Sequence, residues 1–215
     1  MTLSIEPSFT SAVISTEEKI VLAHMVYFEA QFWDGLAVPM FLQSLAMPNV
    51  TTFSLRRVYD YSAPVRELSC DMPGLIGIIQ RSGGMRRIRR LEIETSSPAL
   101  DIGVLLELLP SLETISIESG HLSDNSIKRL SSGKLGFRLC NIYSGVLHDA
   151  DQILSMVESR YQNATQPPDS GQIEDTPCPF KSIMIPCTTA LPKLLDGNKI
   201  ELLSEKCDAD IRLGV

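Results

Sequence analysis

The side chains of this 215-residue chain that could do chemistry are scattered. Three histidines, His24, His121 and His148, stand far apart, and none has a second ligand at the short spacing a metal site needs. His24, just before a strand-like run, reads as structural. Five cysteines, Cys70, Cys140, Cys178, Cys187 and Cys207, are odd in number and form no C-x-x-C, which fits reduced thiols better than a disulfide framework. Cys178 and Cys187, with Pro179 and Pro186 between them, read as ordinary thiols at the edges of one strand. Ser82-Gly83-Gly84 before Arg86-Arg87 suggests a phosphate loop, but G-x-x-x-x-G-K-S/T and G-x-G-x-x-G are both missing, and a strand-like run follows. It is a turn. Neither G-x-S-x-G nor H-E-x-x-H occurs. The expectation is a chain with no catalytic residues, no metal and no cofactor.

One cluster invites a binding role. Arg81, Arg86, Arg87, Arg89 and Arg90 are guanidiniums close enough in sequence to hold a phosphate or an acidic partner. Arg90, however, shares the outward face of a strand with Glu92 and Glu94, whose carboxylates offset its field. With a net charge of −7 and a pI near 5.0, nucleic acid is not an expected partner. No apolar run approaches the roughly 18 to 20 residues of a membrane span, and residues 1–5 lack the basic and apolar stretches of a leader. No membrane association is expected, and the compartment expected is intracellular, cytoplasmic and/or nuclear.

The elements that must position these residues repeat. Leu105 to Leu109 are bunched as on one face of a short helix; Pro110 breaks it; then Leu112, Ile115 and Ile117 fall in an L-x-x-L-x-L pattern that ends in strand alternation. The same phrase recurs as Met25-x-x-Phe28-x-Ala30, Val50-x-x-Phe53-x-Leu55, Ile88-x-x-Leu91-x-Ile93 and Phe180-x-x-Ile183-x-Ile185. Leu139-x-x-Ile142 is a weaker copy with Ser144 in the last place, and Leu3-x-Ile5 and Ile211-x-Leu213 keep only the end. Taking Leu3, Phe28, Phe53, Leu91, Ile115, Ile142, Ile183 and Ile211 as equivalent, most spacings fall within the roughly 20 to 29 residues of a leucine-rich repeat.

Helices are expected over Pro39 to Leu45, Pro73 to Arg81, Asp101 to Leu109, Asp124 to Leu130 with Gly133 capping it, Asp149 to Tyr161, and Lys199 to Lys206. Ile20 to Phe32 follows a capping-box-like Ser15-Thr16-Glu17-Glu18, yet its Val, Tyr, Phe and Trp content favours a strand. The fold class is α/β: a leucine-rich-repeat solenoid, or horseshoe, of about eight strand-helix units with a mainly parallel concave sheet. It forms one domain, 1–215, with long loop insertions at 57–72 and 162–179. Met1 falls at the edge of the first strand with no cap before it, so the chain is expected to be the later part of a longer array, or a gene product whose N-terminal portion is missing.

Between the inward positions, each strand offers outward residues that would line the concave face. These are Tyr27, Glu29 and Gln31; Thr52, Ser54 and Arg56; Arg90, Glu92 and Glu94; Thr114, Ser116 and Glu118; Asn141 and Tyr143; Ser182 and Met184. Tyr, Arg and carboxylates together suit a polar protein surface, so the expected partner is a protein ligand held on that face.

Four stretches, Val21 to Phe28, Phe41 to Val50, Leu105 to Ile117 and Met156-Val157-Glu158-Ser159-Arg160-Tyr161, together resemble the leucine-rich region of fungal, mushroom-type F-box proteins. The resemblance implies the substrate-recognition arm of a cullin-type ubiquitin ligase. No F-box stands ahead of the first phrase, so a Skp-type adaptor enters only if an F-box lies upstream. The alternative is an orphan structural repeat protein, homo-oligomeric through its first strand and without a ubiquitin-ligase role.

Overall fold

The recurrent phrase becomes a strand each time, and the strands stack in chain order. The computed structural model describes residues 2–5, 20–33, 45–58, 72–81, 87–94, 100–165, 176–186 and 197–214. Along the chain these form β1 (Thr2–Ile5), β2 (Ile20–Val21), β3 (Tyr27–Trp33), β4 (Leu45–Ala46), β5 (Thr52–Val58), α1 (Met72–Arg81), β6 (Arg90–Ile93) and β7 (Leu100–Asp101). There follow α2 (Ile102–Leu108), β8 (Thr114–Ile117), β9 (Gly120–His121), α3 (Asp124–Ser131), β10 (Asn141–Ser144), α4 (Ala150–Thr165), β11 (Ser182–Pro186), α5 (Gly197–Cys207) and β12 (Asp210–Gly214). The fold is α/β around a parallel sheet of eight strands in the order β1-β3-β5-β6-β8-β10-β11-β12.

Parallel neighbours cannot be joined by a hairpin, so each connection must cross back along the sheet. Among the described residues, every crossover from β5 onward carries one helix, α1 to α5 in turn. Two short parallel ladders, β2 with β4 and β7 with β9, tie successive crossovers together. No helix among the described residues is long and apolar enough to cross a membrane.

The core follows from the register. Phe28, Phe53, Leu91, Ile115, Ile142, Ile183 and Ile211 are partnered strand to strand in one rung, and all are buried. The first apolar position of the later phrases forms a second buried line, Val50, Ile88, Leu112, Leu139 and Phe180, while Met25 of the phrase before them is partly buried. Against these pack Leu75, Ile78 and Ile79 of α1, Leu105 and Leu106 of α2, Leu130 of α3, Ile153, Met156 and Val157 of α4, and Leu203 of α5. Each such side chain contributes about 1.5–3 kcal/mol on burial, which is why the repeated apolar positions govern the fold.

Local signals place the helix ends. Asp101 caps α2, its carboxylate accepting from the backbone N–H of Gly103 at 2.7 Å and Val104 at 3.3 Å. Ser123 caps α3 through the N–H of Ser126, while Asp124 in the first turn and Lys128 and Arg129 in the last complement its dipole. Gly133, at φ +73°, turns the chain away after α3 in a conformation that other residues adopt only with strain.

The structure corrects several expectations. Leu3 pairs with Ala30, not with Phe28, so the first strand is set two residues further along than the phrase suggests. A two-residue shift leaves the same face inward, and so the short Leu3-x-Ile5 could not fix it. Ile20 to Phe32 is strand in type but is split into β2 and β3 by a turn at residues 23–24. Leu45 lies in β4, not at a helix end; residues 39–44 of that expected helix fall outside the described residues, as do Ser15 to Glu18. At the ends of the expected 57–72 insertion, β5 runs to Val58 and α1 starts at Met72; residues 59–71 lie outside the description. α4 continues four residues beyond Tyr161 to Thr165, into the stretch read as a loop.

Candidate functional site: the polar face of the sheet

The register that buries one set of strand residues sets the alternate positions side by side on the other face. Tyr27, Thr52, Arg90, Thr114, Asn141, Ser182 and Asp210 form one cross-strand row. Glu29, Ser54, Glu92, Ser116, Tyr143, Met184 and Arg212 form the next. Gln31 pairs with Arg56, while Glu94 and Glu118 follow directly after the paired Ile93 and Ile117. Asp210 and Arg212 were missed in the sequence, although they flank Ile211 just as Arg90 and Glu92 flank Leu91.

Side chains in these rows bond across and along the strands. Tyr27 donates its hydroxyl to Glu29, and Gln31 Nε2 donates to the other Glu29 oxygen at 2.9 Å. Arg56 lies 3.2 Å from Glu92 and 3.9 Å from Glu29, and donates to Ser54 Oγ at 3.4 Å. Arg90 donates Nε to Glu92 at 2.6 Å. Further along, Asn141 Nδ2 donates to Thr114 Oγ1 at 3.0 Å, Tyr143 Oη to Ser182 Oγ at 3.3 Å, and Arg212 Nε to Asp210 at 3.0 Å. Glu29 and Ser54 are buried although they point away from the core, closed over by this layer of side chains.

The network leaves a pH signature. Hydrogen bonds from Tyr27 and then Gln31 hold the Glu29 carboxyl below its ordinary value of 4.5. Burial pushes Glu92 up, but hydrogen bonds from Arg90 and Arg56 outweigh it and the net shift is also downward. The folded chain therefore holds these protons less tightly than the unfolded one. Their stabilising contribution is whole above the ordinary carboxylate value and is lost as pH falls through the lower folded values. Urea unfolding at about pH 6 and about pH 3 checks this: the double change Glu29→Gln and Glu92→Gln is expected to flatten the acid-side loss of stability.

The structure also rearranges the other candidates. The arginine cluster divides into separate pairs: Arg87 donates to Asn49, Arg89 lies 3.4 Å from Glu113, and Arg90 turns to Glu92. Arg81 is exposed at the end of α1, and Arg86 lies outside the described residues. His24 sits exposed in the turn before β3. His121 and His148, far apart in sequence, come near enough to interact; burial first, and the His121 ring second, push the His148 imidazole below its ordinary value. Asp101 lies 3.9 Å from His121, and among the described residues no group of three His, Cys, Asp or Glu side chains could hold a metal ion. Cys178 meets the Cys140 thiol, brought there because β11 lies beside β10. Burial, then the neighbouring Cys178, push the Cys140 thiol upward, away from the reactive thiolate. Cys70 and Cys187 lie outside the described residues.

Ser144, the polar substitute in the weakest phrase, faces inward as the pattern requires. Its hydroxyl is satisfied by donation to Gly120 O at 2.6 Å. Comparison of the chain with protein-family models, with curated proteins and with solved structures found no match in any of the three.

Proposed function

We propose that this chain is a non-catalytic protein-binding scaffold, a leucine-rich-repeat solenoid whose outward strand rows form a concave docking face. Support for the solenoid comes from the phrase spacing, the parallel strands in chain order, and the short ladders that join successive crossovers. The observation that carries the binding role is the register itself. It gathers Tyr27, Arg56, Arg90, Glu92, Asn141 and Tyr143, from widely separated parts of the chain, onto one polar face. Aromatic and arginine side chains among hydrogen-bonding groups are what protein interfaces use. On the resemblance to F-box proteins, the ligand would be a ubiquitin-ligase substrate, and a Skp-type adaptor would join only through an F-box upstream.

Affinity capture tests the reading, with wild type and a variant carrying Tyr27→Ala, Arg56→Glu and Arg90→Glu side by side. The expected result is that partners held by the wild type are lost from the variant. Partners that all survive the three changes would contradict it.

A second reading is a structural repeat protein that self-associates. It is favoured by one observation: among the described residues, β1 stands at the end of the sheet order and pairs with β3 alone. On that reading the chain dimerises and a charged residue in place of Ser4 breaks the dimer, which sedimentation would detect.

A further inference from the structure

The face proposed above is not electrically even, and its imbalance points to the chemistry of the partner. Glu29 and Glu92 are met by Arg56, Glu92 also by Arg90, and Asp210 by Arg212. Glu94 and Glu118 belong to none of the ion pairs among the described residues, although the Glu94 charge acts at longer range on Arg56, whose own hydrogen bond goes to Glu92. They are nevertheless neighbours: each follows directly on the paired Ile93 and Ile117, and Glu118 N donates to Ile93 O at 3.1 Å. Like charges side by side on adjacent strands destabilise a sheet unless a cation stands between them.

Glu94 and Glu118 are among the residues that line a solvent-open cavity of about 390 Å³, whose walls also include Ser116, Tyr143 and Met184. Its shape is fixed at two points. The Tyr143 hydroxyl donates to Ser182. Gly145, which also lines the cavity, lies so close to the Glu118 carbonyl that an added Cβ would stand 2.1 Å from that oxygen. Met184 is 40% exposed and can adjust to what it covers.

We propose that the protein partner inserts an arginine side chain into this cavity. The inference rests on the reading that the polar face docks a protein, and adds the partner's chemistry. Two adjacent carboxylates offer acceptors for both edges of a guanidinium, and the Tyr143 ring and the Met184 thioether offer surface to its plane and its alkyl stem. Arginine fits better than lysine, because a planar, weakly hydrated fork can meet two carboxylates and an aromatic ring together.

The test uses the whole chain and a random peptide library displayed on phage. Peptides selected on the wild type are synthesised and their Kd values measured. The expected result is that selected peptides share an arginine, and that its replacement by citrulline, of the same shape but uncharged, weakens binding roughly tenfold or more. Glu94→Gln with Glu118→Gln should weaken the arginine peptide to a similar degree while leaving the citrulline peptide unchanged. Peptides that lack a shared arginine, or that ignore both replacements yet are lost on Tyr27→Ala with Arg56→Glu, overturn this inference and leave the docking face standing. If no peptide binds, or binding ignores all four changes, both fail. The citrulline arm needs no protein variant, so the outcome does not depend on how the glutamine variants fold.

Discussion

Replacing Arg160 by methionine is expected to lower the free energy of unfolding by about 3–5 kcal/mol, a large share of what holds a domain of this size folded. Arg160 is 0% exposed on α4. Its five N–H groups reach six carbonyl oxygens, the two of Nη2 being shared among the last three: Cys178 at 2.7 Å, Leu130 at 3.0 Å, Leu135 at 3.2 Å, Gly136 at 2.6 Å, Phe137 at 3.2 Å and Leu139 at 3.3 Å. Phe180 covers it, the ring centroid 4.6 Å from the guanidinium carbon. Residues 132–140 have no regular structure of their own, so few backbone ladders satisfy their carbonyls, and the arginine does this from one point. Burial lowers its pKa to about 10, still well above neutrality, so the group stays charged.

Methionine would fill much of the space but take the donor from the Leu135, Leu139 and Cys178 carbonyls, at about 1–3 kcal/mol for each one that water cannot reach, while those of Leu130, Gly136 and Phe137 keep a backbone N–H from Gly133, Leu139 and Cys178. Arg160→Lys keeps a charge but has three donors in place of the fork, so it is expected to recover only part of the loss. Urea unfolding checks both, as a fall in the midpoint at unchanged slope.

Phe53→Ala is the other large change, with an expected cost of about 3–5 kcal/mol. Phe53 is 1% exposed and stacks on Phe28 with ring centroids 5.3 Å apart and planes 24° from parallel. Its rung is bounded by hydrogen-bonded strands on both sides, β3 and β6, so the backbone cannot close the hole that the ring leaves. Phe53→Leu, which keeps most of the volume, should cost clearly less. Because the two rings touch, Phe28→Ala together with Phe53→Ala is expected to depart from additivity by about 0.5–3 kcal/mol, read from a double-mutant cycle in urea.

The parts of the fold legible in sequence are those that repeat. In Leu112-x-x-Ile115-x-Ile117 the apolar positions prescribe a buried strand edge, and Thr114 and Ser116 must then point the other way. The same logic places Arg90 and Glu92 beside them, since a parallel register carries equivalent positions into one row. Where the repeat is worn, the reading slips. Leu3-x-Ile5 is too short to fix its phase, and a shift by two keeps its face, so the register of β1 could not be read. Gln162 and Asn163 are polar enough to pass for a loop, yet α4 continues through them.

Arg160 shows a different limit. It lies three residues after Val157 and four after Met156, on the buried stripe of α4, and that spacing was the signal available. A charged residue on such a stripe reads as an interruption until the carbonyls it serves are known, and five of those come from a segment twenty and more residues earlier and the sixth, Cys178, from 18 residues later. The meeting of Cys140 with Cys178 is likewise a product of sheet neighbourhood that no local spacing encodes. That Glu94 and Glu118 hold no ion pair among the described residues depended in the same way on seeing that Arg56 and Arg90 both turn to Glu92.

The central claim is that partners dock on the polar face of the sheet and not on the helices. The most direct measurement is the Kd of one captured partner for two variants. One carries Tyr27→Ala, Arg56→Glu and Arg90→Glu on the sheet face; the other carries Lys128→Glu, Lys199→Glu and Lys206→Glu at exposed helix positions. The sheet-face variant is expected to bind at least roughly a hundredfold more weakly, and the helix variant within about threefold of wild type. Equal binding by wild type and the sheet-face variant, with the loss confined to the helix variant, would contradict the account.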